Sequence, residues 1–73
     1  MTYEEALREI IDVVDPLDPI DDSTVIATSD DLDSLALFNI MLYLKGKGFS
    51  GDFKEVASCV TLGDIVALIA PKS

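Results

Sequence analysis

The sequence predicts an all-α fold: a small four-helix bundle of three main helices plus one short helix, with a long loop between the first and second. Three observations predict it. Apolar residues recur at helical spacing in two long segments and again near the C-terminus. Thr2-x-x-Glu5 and Thr61-x-x-Asp64 read as helix-capping signatures. No stretch alternates between apolar and polar residues as a half-buried strand would. The 73 residues are read as one domain, 1–73. At this size folding buries roughly 60% of the unfolded chain's surface, which leaves a thin core and little room for a catalytic cavity. A scaffold that presents something on its surface is the natural expectation.

The first helix opens at Thr2 and carries Tyr3, Leu7, Ile10, Ile11 and Val14 on one face. Glu4, Arg8 and Asp12 line its polar face at spacings of four. Pro16 stops it, and Asp15 before the proline is pushed toward extended geometry. From Asp15 to Asp33 no period persists; prolines and Asp/Ser/Thr clusters make this a loop. Leu17, Ile20, Val25 and Ile26 are expected to pin that loop onto the core.

Asp33-Ser34 begins the second helix, which runs to about Lys47 and ends among Gly46, Gly48 and Gly51. Phe53 to Val60 holds one or two helical turns. Thr61 caps the last helix, whose buried stripe is Leu62, Ile65, Val66 and Ile69, and Pro71 ends it.

The second helix has more apolar surface than a small bundle can bury. Leu37, Ile40, Met41 and Leu44 share a core-facing stripe, while Leu35, Phe38 and Leu42 lie with Ser34 on another face. Either the long loop folds over Phe38 and Leu42, or these residues form an exposed patch for a partner. Ser34 stands where a helix start offers free N–H groups and the positive end of the dipole, a setting that suits a covalently attached phosphate. Asp33 is the candidate N-cap.

Charge narrows the partners. Five basic residues against fourteen acidic ones give a net charge of −9, which disfavours nucleic acid and anionic membrane and favours a protein with a basic surface. No apolar run approaches the ~20 residues a membrane span requires. The absence of a signal-peptide pattern and the single Cys59 point to a cytoplasmic protein, with Cys59 packed as a small apolar residue. Without histidine, Ser34 has no conventional base for hydrolase chemistry, and Lys45, Lys47, Lys54 and Lys72 lie in polar or terminal stretches. The many loop aspartates do not form a calcium loop with its central Gly and final Glu, and a structural zinc site lacks ligands, so no metal is expected.

Leu32-Asp33-Ser34-Leu35, followed by the apolar helix and the Phe49 turn, resembles the Asp-Ser-Leu motif of the acyl carrier and peptidyl carrier protein family. The order of elements is similar along essentially the whole chain. The resemblance implies a non-enzymatic carrier, monomeric, whose Ser34 takes a covalent 4′-phosphopantetheine from a phosphopantetheinyl transferase. Asp33 would help present Ser34, and Leu35 would contact partner enzymes. Those partners would be an adenylating ligase or acyltransferase and downstream synthase enzymes. One departure is informative: the helix after Asp33 carries no acid, whereas fatty-acid carriers place several there. Asp31-Leu32 also stands where many fatty-acid carriers have glycine. Docking through Leu35, Phe38 and Leu42 is the expected substitute, and freestanding carriers of specialised pathways look more similar. The alternative is an unmodified helical protein-interaction domain, an adaptor in which Ser34 only caps.

Overall fold

The computed structural model describes residues 1–71; Lys72, and with it the notion of a lysine base at that position, lies outside the described residues. Four α-helices form the architecture: α1 (Tyr3–Val14), α2 (Ser34–Gly46), α3 (Phe53–Ala57) and α4 (Leu62–Val66). A single 3₁₀ turn, Ile26–Thr28, interrupts the long loop. No strand is present among the described residues, and only an isolated bridge joins Val25 to Thr61.

Each helix starts where its chemistry says it should. Thr2 Oγ1 accepts from Glu5 N–H at 3.1 Å, and Glu5 Oε1 accepts from Thr2 N–H at 3.2 Å, the reciprocal pair of a capping box. The bond from the Thr2 N–H, with the Thr2 side chain beside it, holds the Glu5 carboxyl below its ordinary range. Thr61 and Asp64 repeat the device at α4. Asp52 caps α3 by accepting from Glu55 N–H at 3.1 Å.

The ends are equally local. Asp15 closes α1 in the left-handed region at φ 50°, not extended as its place before Pro16 implies. Its N–H donates to Ile11 O at 2.9 Å, and that bond holds the turn. After α2, Gly48 adopts φ 95° and donates to Lys45 O at 3.1 Å, while Phe49 N–H reaches Leu44 O at 3.0 Å. This crossed pair is a Schellman ending, and it requires the glycine. The fourth helix is regular over only five residues; beyond Val66 the chain tightens into i→i−3 bonds, Leu68 N–H to Ile65 O and Ile69 N–H to Val66 O. Ile69 is partly buried against the core, and Ala70, whose N–H donates to Val66 O at 3.0 Å, is buried.

The core is one cluster. Ala6 and Ile10 of α1 meet Leu37, Ile40, Met41 and Leu44 of α2, with Val56, Leu62, Ile65 and Val66 closing it and Ile26 and Leu32 entering from the loop. The loop packs toward α4. Ile26 N–H donates to Val60 O (2.9 Å), Leu62 N–H to Thr24 O (3.1 Å) and Gly63 N–H to Asp22 O (2.9 Å). Of the four expected loop anchors, Ile26 is buried and Ile20 partly so, but Leu17 is 95% exposed and Val25 40% exposed. Backbone pairing to the Val60–Gly63 segment, rather than side-chain burial, holds much of the loop.

Gly63 makes this packing possible. A Cβ there would lie 2.7 Å from Tyr3 Oη and 2.9 Å from Asp22 O, where the Tyr3 hydroxyl donates to Asp22 Oδ2 at 2.9 Å. Burial and this bond to Asp22 raise the Tyr3 hydroxyl's pKa. Gly63→Ala is therefore expected to cost about 1–3 kcal/mol and to lower the urea midpoint. An unchanged midpoint would show that the loop yields at no cost.

Helices α1 and α2 are also joined at their polar edges. Tyr43 Oη donates to Glu9 Oε1 at 2.6 Å, and Lys47 Nζ lies 3.7 Å from the same oxygen and 5.6 Å from the Tyr43 ring centroid. Burial, with Glu9 alongside, pushes the Tyr43 hydroxyl up to about 12. The Lys47–Glu9 pair is half exposed on both sides and contributes little.

Candidate functional site

The segment 32–35 is a rigid mount for one exposed hydroxyl. Leu32 is buried at 3% exposure immediately before it, and Leu37 enters the core one turn after it. Between them Asp33 is extended (φ −79°, ψ −178°) and its Oδ1 accepts from Ala36 N–H at 2.9 Å. Asp33 is thus the N-cap, and Ser34 is the first residue of the helix proper. Leu37 N–H donates to Asp33 O at 2.9 Å, which leaves the N–H groups of Ser34 and Leu35 without intrahelical acceptors at an exposed helix start.

Ser34 itself is exposed, and its hydroxyl makes no hydrogen bond among the described residues. The role of cap is taken by its neighbour. The residues present fit an attached phosphodiester: the hydroxyl is accessible, and two free N–H groups and the helix dipole lie at the same end. The carboxylates of Asp30, Asp31 and Asp33 oppose an anion there, but solvent and salt screen that repulsion.

Asp33→Ala is expected to cost about 1 kcal/mol through the lost cap, whereas Asp33→Asn keeps most of it. Thermal unfolding of the two variants checks this, and equal loss in both would show that charge rather than capping matters.

Beyond Ser34 the same helix face stays open. Leu35 is 69% exposed, Phe38 46% and Leu42 52%. The long loop does not cover them, because its hydrogen bonds carry it to α4. The one aromatic neighbour is Phe53 of α3, whose ring centroid lies 6.5 Å from that of Phe38 at an interplanar angle of 48°. The patch therefore rests on α3 at its middle and is bare at Leu35 and Leu42. Its core-facing counterpart, Leu37, Ile40, Met41 and Leu44, is buried as the spacing predicts.

On the α1 side of Ser34 lies a shallow cleft of about 230 Å³ between Val13 and Val14 of α1 and Leu35 and Asn39 of α2, rimmed by Asp30, Asp31 and Asp33. Seven of the fourteen acidic residues lie in the segment 15–33, which has no Lys or Arg. The α2 helix has no acidic residue, while the loop that leads up to Ser34 is rich in them.

Cys59 is a poor rival nucleophile. Burial, with Asp64 and Glu55 nearby, pushes its thiol up, and Sγ–H donates to Glu55 O at 3.4 Å. Among the described residues no group of three His, Cys, Asp or Glu side chains is arranged to hold a metal ion, and no helix is long and apolar enough to cross a membrane. Sequence reasoning missed the exposure of Leu17, Val25 and Val60 (63% exposed). For Leu17 the signal was its place between Pro16 and Pro19.

Comparison with protein-family models, curated proteins and solved structures finds no match.

Proposed function

We propose that the chain is an acyl or aminoacyl carrier protein whose Ser34 holds a covalent 4′-phosphopantetheine arm. The observation that supports this reading most is the division of labour at the start of α2. Asp33 caps the helix, so Ser34 has an exposed hydroxyl with no structural partner, beside an exposed apolar face.

In this reading Ser34 Oγ attacks the phosphorus of coenzyme A that bears the pantetheine. The Oγ–P bond forms, the pyrophosphate P–O bond breaks, and adenosine 3′,5′-bisphosphate leaves. A base of the phosphopantetheinyl transferase takes the hydroxyl proton, since the adjacent Asp33 carboxylate is engaged in capping the Ala36 N–H. The arm supplies a terminal thiol for thioester chemistry. What the chain's own residues do is hold and orient: Asp33 fixes the helix start, Leu32 and Leu37 anchor its backbone, and the N–H groups of Ser34 and Leu35 would be the donors available to the phosphodiester. The chain catalyses nothing; it is a substrate of the transferase, then of an adenylating ligase or acyltransferase and downstream synthase enzymes. It acts as a monomer in the cytoplasm, in a specialised biosynthetic pathway, and meets those enzymes through Leu35, Phe38 and Leu42 rather than through acids on α2.

The exposed face alone is equally what an unmodified adaptor domain would present, and the two readings part on covalent chemistry. Incubation with coenzyme A, magnesium and a promiscuous phosphopantetheinyl transferase, followed by intact mass, separates them. The carrier gains one phosphopantetheine; an adaptor gains none.

A further inference from the structure

An isolated exposed leucine is ordinary on a protein surface, but Leu17 is neither isolated from the site nor loosely held. It is 95% exposed and stands between Pro16 and Pro19, whose rings restrict the backbone on both sides. The turn feeding it is set by Asp15 in the left-handed region. Its own N–H donates to Asp31 Oδ1 at 3.1 Å, fourteen residues away in the chain. Asp31 lies three residues before Ser34, so their Cα atoms are within about 11 Å. Leu17 is thereby tied to the segment that presents Ser34.

The surroundings give the partner's chemistry. The Leu17 backbone is held by Asp31, which with Asp30 and Asp33 rims the cleft that Leu35 lines on the α2 side. A stiffened apolar tip loses little freedom on docking, which is what an anchor residue requires. The carboxylates beside it attract a basic surface and set its approach.

We infer that Leu17 is a second docking anchor for the enzyme that acts on Ser34, a protein with an apolar socket flanked by Lys or Arg. This rests on the carrier reading. Asp31 links the Leu17 backbone to the cleft that Leu35 also lines, so the enzyme would meet one apolar contact at Leu17 and another at Leu35.

The test is steady-state kinetics of phosphopantetheine transfer from coenzyme A by the promiscuous transferase, read by intact mass. Wild type, Leu17→Ser, Leu17→Met and Asp30→Asn are compared. Because Leu17 is solvent-exposed, Leu17→Ser keeps the native circular dichroism and thermal midpoint. The inference expects it to lower kcat/KM about tenfold, through KM with kcat unchanged. Leu17→Met should restore most of this, and Asp30→Asn should show a loss that shrinks as salt is added. Wild-type kinetics in Leu17→Ser, or a fall in kcat rather than a rise in KM, overturns the anchor while leaving the carrier reading intact. No modification of the wild-type chain overturns the carrier reading and the anchor with it.

Discussion

Ser34→Ala is expected to abolish phosphopantetheine attachment while leaving the fold as stable as the native chain, or slightly more so. The loss is complete because no second hydroxyl shares this setting: a helix start already capped by the preceding residue, with free N–H groups and an exposed apolar face. Stability should hold because the Ser34 hydroxyl bonds nothing among the described residues and the cap belongs to Asp33. Alanine is also the better helix former, by a few tenths of a kcal/mol. Intact mass and thermal unfolding, measured on the same preparation, give both halves. A clear drop in thermal midpoint would mean that Ser34 has a structural role that the hydrogen-bond pattern does not contain.

The second large effect lies nearly two turns further along the same helix. Ile40 is fully buried between α1 and α2, so Ile40→Ala is expected to cost about 2–5 kcal/mol through lost transfer energy and the cavity left behind. A chain of this size has a total stability of about 4–11 kcal/mol, so much of the population would unfold under mild urea. Leu42→Ala, two residues on but on the open face, should stay within about 0.5 kcal/mol of wild type. The contrast tests the assignment of faces directly. If Leu42→Ala costs as much as Ile40→Ala, the Leu35, Phe38 and Leu42 face is buried in solution and cannot be a docking surface.

Much of this architecture was legible because it is set within one helical turn. Thr2 with Glu5, and Thr61 with Asp64, state their capping boxes in four residues each. Asp33 declares the start of α2, and the 3.6-residue spacing of Leu37, Ile40, Met41 and Leu44 declares its buried stripe. What spacing could not decide was whether the loop folded over Phe38 and Leu42. That depended on backbone pairing between residues far apart in the chain, Asp22 with Gly63 and Ile26 with Val60, which leaves no side-chain pattern. The same blindness placed Leu17 and Val25 among the loop's anchors, since an apolar residue in an aperiodic segment reads as buried until its neighbours are known. The length of the last helix misled for a similar reason. The stripe through Ile69 is helical in spacing, yet beyond Val66 the chain mixes 3₁₀-type bonds with an α-type bond, Ala70 N–H to Val66 O, and Ala70 is buried. Ala6 escaped notice because a methyl group carries little weight in a periodicity argument, although it is completely buried where α1 enters the core.

The candidate site follows the same division. Ser34 and Asp33 could be picked out by motif, but their separate roles could not, since either residue type caps helices well. Geometry distinguishes them, and the cap on Asp33 frees the serine. The acidic residues tell a complementary story: α2 carries none, yet the loop before Ser34 has seven, of which Asp30, Asp31 and Asp33 rim a cleft that only the fold assembles.

The most direct test of the central claim is peptide-level mass mapping of the native chain after incubation with coenzyme A, magnesium and the promiscuous transferase. The account predicts a single phosphopantetheine on the peptide spanning Leu32 to Leu37, with fragment ions placing it on Ser34. An unmodified chain, or an arm placed on Ser29, Ser50 or Ser58, would contradict it.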